Sequence, residues 1–450
     1  MTARPDNWSH LTPEEKREWR LARFMDSYQG IKFVSPEAER RYRAGTKRLA
    51  DVYRVQEPDR VPVAINTGLV PLYSNGVDYH TAIYEPQKAI KATAKFNAEH
   101  AFEMDSFMVS MTIPARVFDI LDYRLYAYPG HGLPKSAIGF QFIEGEYMMA
   151  DEYDALIKDP SDFWLRTYLP RVFGALQPFN QFSPLTDIIE IIVPLSPLAS
   201  PQVQAAFLKL VEAGKELARI QKITGDSVSQ AQARGYGGGT MRGAFAKAPF
   251  DTLGDTLRGT RGIMKDMYRQ PEKLLKAMDV IADVTIKSIL SSPAVVDGLM
   301  ASFPLHKGAD GWMSPKQFDT FYWPSLKKVM DAFISEGLIV SLFAEGSYNT
   351  RLEKVNVFPK GTVHWHFDQT DMAKAKQVLG KNCSIEGNVP SSLLCTGSPA
   401  EVKEYCRKLI EVCAPGGGYI LNSGAIPEFP KLENLKAMAD AAQEYGVYRK

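Results

Sequence analysis

Between positions 339 and 424 the chain repeats one unit four times: a short apolar run, a polar or glycine tip, then a stretch whose apolar positions recur at helical spacing. The four runs cover residues 339–346, 363–368, 383–388 and 418–424. Apolar runs of this length bounded by turn residues read as buried strands. Strands that alternate with helices pair in parallel, because each crossover has to return over the sheet before the next strand begins. Parallel α/β folds carry their chemistry at the carboxyl ends of their strands. Glu345, Asp368, Glu386 and Asn422 stand at those ends.

The same cadence is found upstream. Residues 61–66 read as a first strand, 105–111 as a second, and the runs at 241–247 and 298–303 as a third and fourth. Strands beginning near 61, 105, 241, 298, 339, 362, 383 and 418 make eight. Eight parallel strands with helical crossovers predict an α/β fold of the (β/α)8 or TIM-barrel type. An open doubly wound sheet is the alternative, but no dinucleotide-binding fingerprint follows the first strand. Residues 1–58 predict an N-terminal helical extension. Thr12, Pro13, Glu14 and Glu15 open one helix with a cap, a first-turn proline and acidic residues, and a second helix runs from Glu37 to about Val55. Residues 59–450 then form the barrel, with a large insertion over about 112–240 that caps its mouth. Within the insertion, 125–132 and 139–147 alternate as a hairpin does, and 151–223 is mostly helical. Helices are also expected over 86–101 and 272–290, and Ser314 with Gln317 and Ser398 with Glu401 have capping-box spacing.

Composition narrows the partners. The 450 residues are 45% hydrophobic and 23% charged, enough for a sizeable core. Fifty-three basic and 52 acidic side chains leave +1, which gives no electrostatic reason to expect nucleic acid or an anionic membrane. No stretch reaches the roughly 18 apolar residues of a spanning helix, and the first residues lack a basic-then-apolar secretory pattern. A cytoplasmic protein is expected. Cys383, Cys395, Cys406 and Cys413 form no C-x-x-C pair, so neither a disulfide framework nor a zinc ribbon is indicated. Cys406 and Cys413 share a helical stripe with Val402, Tyr405 and Leu409 and read as packing.

Candidate chemistry follows from the strand tips. Glu345, before Gly346, suits a metal ligand, a general base or a substrate-orienting group; the structural alternative is an ion pair with Arg351. His364 and His366 share one face of their strand, while Trp365 and Phe367 share the other. Period two does not decide which face points inward, and His366 stands nearer the tip. Glu386 heads a Gly387–Pro390 turn. Asn66 and Asn422 complete the set of tips as substrate-binding groups, and His131 and Tyr147 are expected to line the entrance from the insertion.

Residues 367–380, 386–390 and 416–424, the tail at 433–438 and 444–446, and the entry at 58–62 together resemble the uroporphyrinogen decarboxylase-like superfamily. The resemblance is strongest from about 296 to 447, weaker from 58 to 111 and poor across the insertion. It implies a TIM barrel, and lies nearer the corrinoid-dependent methyltransferase-like members than the true decarboxylases. The decarboxylases carry an arginine-rich loop after the first strand, whereas residues 63–73 here contain no arginine. Each carboxylate of an octa-acid left unpaired costs about 1–3 kcal/mol. The family's zinc methyltransferases use a His-x-Cys pair and a later cysteine; the matching positions hold Phe343, Glu345 and, approximately, Ala425.

What the resemblance implies is a methyltransferase, or demethylase, that moves a methyl group from a small methylated substrate to a corrinoid (cobalamin) on a partner protein. The aromatic insertion would suit a methoxylated aromatic substrate. Glu345, Glu386 and His366 are the expected catalytic residues, with Glu345 and His366 as ligands if zinc or another divalent metal is held. Two alternatives stand beside it: a decarboxylase or lyase of a smaller carboxylic acid, with Arg242 or Arg351 meeting the carboxylate, and a non-catalytic barrel that binds a tetrapyrrole or corrinoid. Barrels of this family commonly pair through surface helices, so a homodimer is an expected partner state.

Overall fold

A computed structural model of the protein describes residues 4–100, 104–105, 112–186, 193–237, 243–296 and 298–448. Its N-terminal extension is helical, as the sequence predicts. Thr12 and Glu15 close a reciprocal capping box at the start of the helix Pro13–Met25, and Ser35 caps Pro36–Tyr53. Each such cap contributes about 1 kcal/mol. The apolar faces of these helices bury Leu21, Phe24, Leu49 and Tyr53 against Ala64, Met300, Ile339 and Ile420. Met300 and Ile339 are the first residues of their strands. The extension is therefore packed against the amino-terminal end of the sheet, away from the strand tips.

Nine strands are present among the described residues: β1 Tyr126–Pro129, β2 Gly132–Leu133, β3 Gln141–Phe142, β4 Gly243–Phe245, β5 Met300–Leu305, β6 Ile339–Ala344, β7 Val363–Phe367, β8 Ser384–Glu386 and β9 Tyr419–Ile420. Strands β4 to β9 form one parallel sheet in chain order. Beyond β9 the expected first strand is added: Val63 bridges Leu421 in parallel, and the Ala64 amide donates to the Leu421 carbonyl at 2.9 Å. The Asp105 amide donates in turn to the Val63 carbonyl at 2.9 Å. Most of the expected second strand, residues 106–111, lies outside the described residues. β5 runs two residues past the predicted end at Phe303, which moves its tip to His306 and Lys307.

The sheet has one dry face. Ala301, Phe303, Leu305, Val340, Leu342, Ala344, Trp365 and Phe367 join the main core, packed with residues such as Leu326, Met330, Phe333 and Ala375 of the crossover helices. Burying each large apolar side chain contributes on the order of 1.5–3 kcal/mol. On the opposite face Ser302, Pro304, Ser341, Phe343 and His366 are only partly covered. The alternation left open by sequence is thus resolved. Trp365 and Phe367 lie under the helices, and His364 and His366 point to the other side, where Tyr53 of the extension meets the His364 ring edge-on at 5.5 Å.

The insertion holds an antiparallel β1–β3 hairpin, as expected, and a long helix Pro201–Ala233. Its residues 147–153 are bonded to the segment that follows β4. The amides of Tyr147 and Met148 donate to the Leu257 carbonyl, and the Tyr153 hydroxyl donates to Asp266 at 2.8 Å. The capping boxes at Ser314 and Ser398 are formed, and Cys383, Cys406 and Cys413 are buried, with burial pushing each thiol up to about 12. Among the described residues no helix is long and apolar enough to cross a membrane.

Candidate active site

Two polar clusters occupy the carboxyl ends of the parallel strands. The first gathers four residues expected from the sequence. Glu386, the last residue of β8, is 4% exposed, and its Oε2 lies 2.6 Å from His364 Nε2 on β7. His364 Nδ1 is 2.9 Å from Ser384 Oγ, which holds the ring in place from the other side. Asn422 Nδ2 donates to the second Glu386 oxygen. Asn66 Nδ2 donates to Asn422 Oδ1 at 3.1 Å and to Ser423 Oγ at 2.8 Å, which ties the first strand to the last. His366 donates through Nε2 to the Ser423 carbonyl at 2.7 Å. Burial pushes the Glu386 carboxyl up, but the His366 charge, the His364 bond and charge, and the Asn422 amide outweigh it and hold it at about 2. A carboxylate so enclosed orients its neighbours; His366, partly covered, is the member with access to the open face.

The second cluster surrounds Glu345 and contains residues that sequence reasoning passed over. Asp251 and Asp255 lie in the helical segments Pro249–Asp251 and Thr252–Leu257 that follow β4. Asp251 is fully buried. It accepts from the backbone amides of His306 and Lys307 at 3.0 Å each and from the Tyr322 hydroxyl at 2.7 Å, and so fixes the tip of β5. Asp255 meets three cationic groups: His306 Nδ1 at 2.6 Å, Lys247 Nζ at 2.7 Å and Lys307 Nζ at 2.7 Å. On the far side of the imidazole, His306 Nε2 is 3.7 Å from Glu345 Oε1.

The electrostatics of this cluster push its members apart. Burial pushes His306 down, but the Asp255 bond and the charges of Asp251, Asp255 and Glu345 raise it above its ordinary value. Burial likewise pushes Asp255 up, while its bonds and charges from His306, Lys247 and Lys307 hold it well below the carboxylate range. Glu345 is raised, first by burial and then by Asp251, Asp255 and Asp368, against the opposing pull of His306. An acid with an elevated imidazole value beside a carboxylate with an elevated value is a pair suited to proton transfer near neutrality.

The remaining expectations divide. Glu345 stays half-exposed and does not pair with Arg351, which is buried, lies 3.6 Å from Asp310 and donates to the Gly308 and Met313 carbonyls. Arg351 is therefore not placed to meet a substrate, and Arg242 lies outside the described residues. His131 stacks on Tyr128 at 4.8 Å and sits 3.7 Å from Asp119, packed within the insertion. The Tyr147 side chain faces the Arg124 and Ile143 carbonyls at 3.4 Å, while its backbone borders the second cluster through Leu257. Glu345 has His306, not His366, as its histidine neighbour, and among the described residues no group of three or more His, Cys, Asp or Glu side chains is arranged to hold a metal. With Phe343 and Ala425 in place of two donors, these residues do not fit zinc's usual tetrahedral nitrogen and sulfur set.

Residues 201–445, more than half the chain, match the family model described as uroporphyrinogen decarboxylase (URO-D). The chain belongs to the URO-D family. The matched span contains both clusters apart from Asn66. Within the family, the uroporphyrinogen decarboxylase of Actinobacillus succinogenes is 24% identical over 205 residues, 44% of this chain and 56% of that one. That of Trichodesmium erythraeum is 25% identical over 300 residues, 60% of this chain and 80% of that one. The chain thus spans little more than half the length of several curated URO-D relatives that it matches. Among solved structures, a methyltransferase from Methanosarcina mazei superposes with a TM-score of 0.54 at 16% identity, over 89% of this chain and 98% of that one, a likeness of fold.

Proposed function

We propose that this URO-D family protein is a (β/α)8-barrel methyltransferase that moves a methyl group from a small methylated substrate to a corrinoid held by a partner protein. The carrying observation is the Asp255–His306–Glu345 array at the tips of the strands. Removing a methyl group from oxygen or nitrogen leaves the electron pair on the heteroatom, and that atom needs a proton as the bond breaks. His306, kept protonated by Asp255, is suited to give it from Nε2, and Glu345 is suited to return a proton to the same nitrogen. The partner's corrinoid would supply the nucleophile that accepts the methyl group. Lys307 adds positive charge beside the developing anion, and the Ser423 carbonyl holds the His366 ring at 2.7 Å.

Two features support the finer points. The parallel sheet β4–β9, extended past β9 by the Val63 bridge to Leu421 and by the Asp105 amide bond to the Val63 carbonyl, supports the barrel reading. On the hairpin, Phe140 and Phe142 are exposed with their rings 4.8 and 5.9 Å from Tyr126, which favours a methoxylated aromatic substrate. A second reading, decarboxylation of a small acid, is favoured by Lys247 and Lys307 beside His306, which offer charge to a carboxylate. Incubating the purified chain with reduced corrinoid acceptors and methoxylated aromatics tests the choice. Methylated corrinoid is expected, and to be lost in His306→Gln; carbon dioxide release from small acids without methyl transfer would favour the second reading, and no transfer to any acceptor contradicts the first.

A further inference from the structure

A groove of about 810 Å³ lies between the turns that follow β7 and β8 and the helix Pro399–Cys413. That volume is within the range of small-molecule sites, roughly 300–1,000 Å³. One wall is apolar: Tyr405, Leu409 and Val412 recur at i, i+4 and i+7 on the helix, and Val412 is 45% exposed. The facing wall carries Asn388, which is only 7% exposed. Its Nδ2 donates to the carbonyls of Asp368 at 3.2 Å and Thr370 at 2.8 Å. Because a carbonyl only accepts, these two bonds fix which end of the amide is the nitrogen. Oδ1 is thereby turned away from them, towards the groove, and accepts no hydrogen bond among the described residues.

Two carboxylates beside Asn388 also keep an oxygen free. Asp368 receives the Gly346 amide on Oδ2 at 3.1 Å. Asp371 receives the amides of Ala373 at 2.9 Å and Lys374 at 3.1 Å, both on Oδ1. Neither carboxylate forms an ion pair with a cation among the described residues: the Lys374 ammonium donates to the Asn349 carbonyl at 3.0 Å, and Lys408, the cation on the groove wall, lies 3.6 Å from Glu404. We propose that the groove binds an amphipathic primary amine, its ammonium donating to Asn388 Oδ1 and Asp368 and its apolar body lying on Tyr405, Leu409 and Val412. An ammonium carries three donors and no acceptor, which suits a wall of open acceptors. Carboxylates and phosphates are disfavoured, since they would set like charge against Asp368 and Asp371. The inference goes beyond methyl transfer and holds or fails independently of it.

Calorimetric titration of the full chain at pH 7 with 2-phenylethylamine, 2-phenylethanol and 3-phenylpropionate tests it. The three probes share an aromatic body and differ in the charge at its end. The amine is expected to bind at least about tenfold more tightly than the alcohol, as charge-assisted bonds allow, and the acid is expected not to bind. Asp368→Asn keeps an acceptor for the Gly346 amide and is expected to abolish the preference for the amine while alcohol binding persists. Val412→Lys, on the exposed helix face, sets a like charge in the groove and is expected to weaken the amine by at least about tenfold; it decides the matter if Asp368→Asn does not fold. Equal affinity for amine and alcohol, binding of neither, binding of the acid as tightly as the amine, or amine binding unchanged in a variant that folds would overturn the assignment.

Discussion

The His306 imidazole and the Asp255 carboxylate meet at 2.6 Å although 51 positions separate them in the chain. The bond joins the tip of β5 to the helical segment after β4, and it orients the ring so that its other nitrogen faces Glu345. An acid–base pair of this kind has the geometry by which a carboxylate fixes a histidine tautomer and stabilises its charged form.

Replacement of His306 by Gln keeps a polar side chain but removes the titrating group. Methyl transfer is expected to fall by about 10²–10⁴-fold, and the high-pH fall in rate, set by loss of the His306 proton, is expected to disappear. Asp255→Asn should move that limb to lower pH, because the group that raises His306 is gone. Rate–pH profiles of the three proteins check this.

Stability should track the same group with a definite sign. His306 is raised above its ordinary 6.5 in the folded protein, so its contribution is fully present below about 6.5 and is lost as pH rises through the higher folded value. Urea unfolding across pH 6 to 9 is expected to show a decline that is reduced in His306→Gln.

Glu386 has the opposite dependence. Its carboxyl moves from 4.5 to about 2 on folding, which corresponds to about 3 kcal/mol. That contribution is present above 4.5 and is lost as pH falls towards 2. Glu386→Ala, which also leaves His364 and Asn422 without their buried partner, is expected to cost on the order of 3–5 kcal/mol at pH 7. Denaturant titration at pH 7 and through the acid range measures both effects.

Glu345→Gln separates chemistry from folding. The side chain is half-exposed and makes one loose contact with His306. Stability should change by no more than about 0.5 kcal/mol, while methyl transfer drops about 10²-fold. Parallel thermal melts and rate measurements on one preparation check the split.

Gly68 joins the first strand's exit to the loop after β9. It has φ +55°, and a Cβ there would lie 2.0 Å from the Pro427 carbonyl oxygen. Gly68→Ala is expected to destabilise the chain by about 1–3 kcal/mol or more and to loosen the Asn66–Asn422 contact, read as a lower melting temperature with reduced activity.

Much of this arrangement was legible in the sequence for identifiable reasons. Strand runs such as 339–344 and 383–386 are short and bounded by polar tips, so their ends pointed to Glu345 and Glu386. Thr12, Ser314 and Ser398 carry local capping signals that tertiary contacts do not override. His306 and Lys307 were missed because the run 298–303 was ended two residues early, although the strand-tip rule selects them once β5 reaches Leu305. Asp251 and Asp255 carry no such signal. They sit on helical turns after β4, and only the packing of those turns against the β5 tip gives them partners. The inward face of β7 was undecidable from period two, and was fixed by Trp365 and Phe367 finding the helices.

The most direct measurement is the titration of the His306 imidazole itself. NMR of the protein with labelled histidine, its seven signals assigned by the loss of one in His306→Gln, reads the value without any assay of turnover. A midpoint above 6.5, falling in Asp255→Asn, is the predicted result. A midpoint at or below 6.5, unmoved by Asp255→Asn, would contradict the role given to His306 as the proton donor.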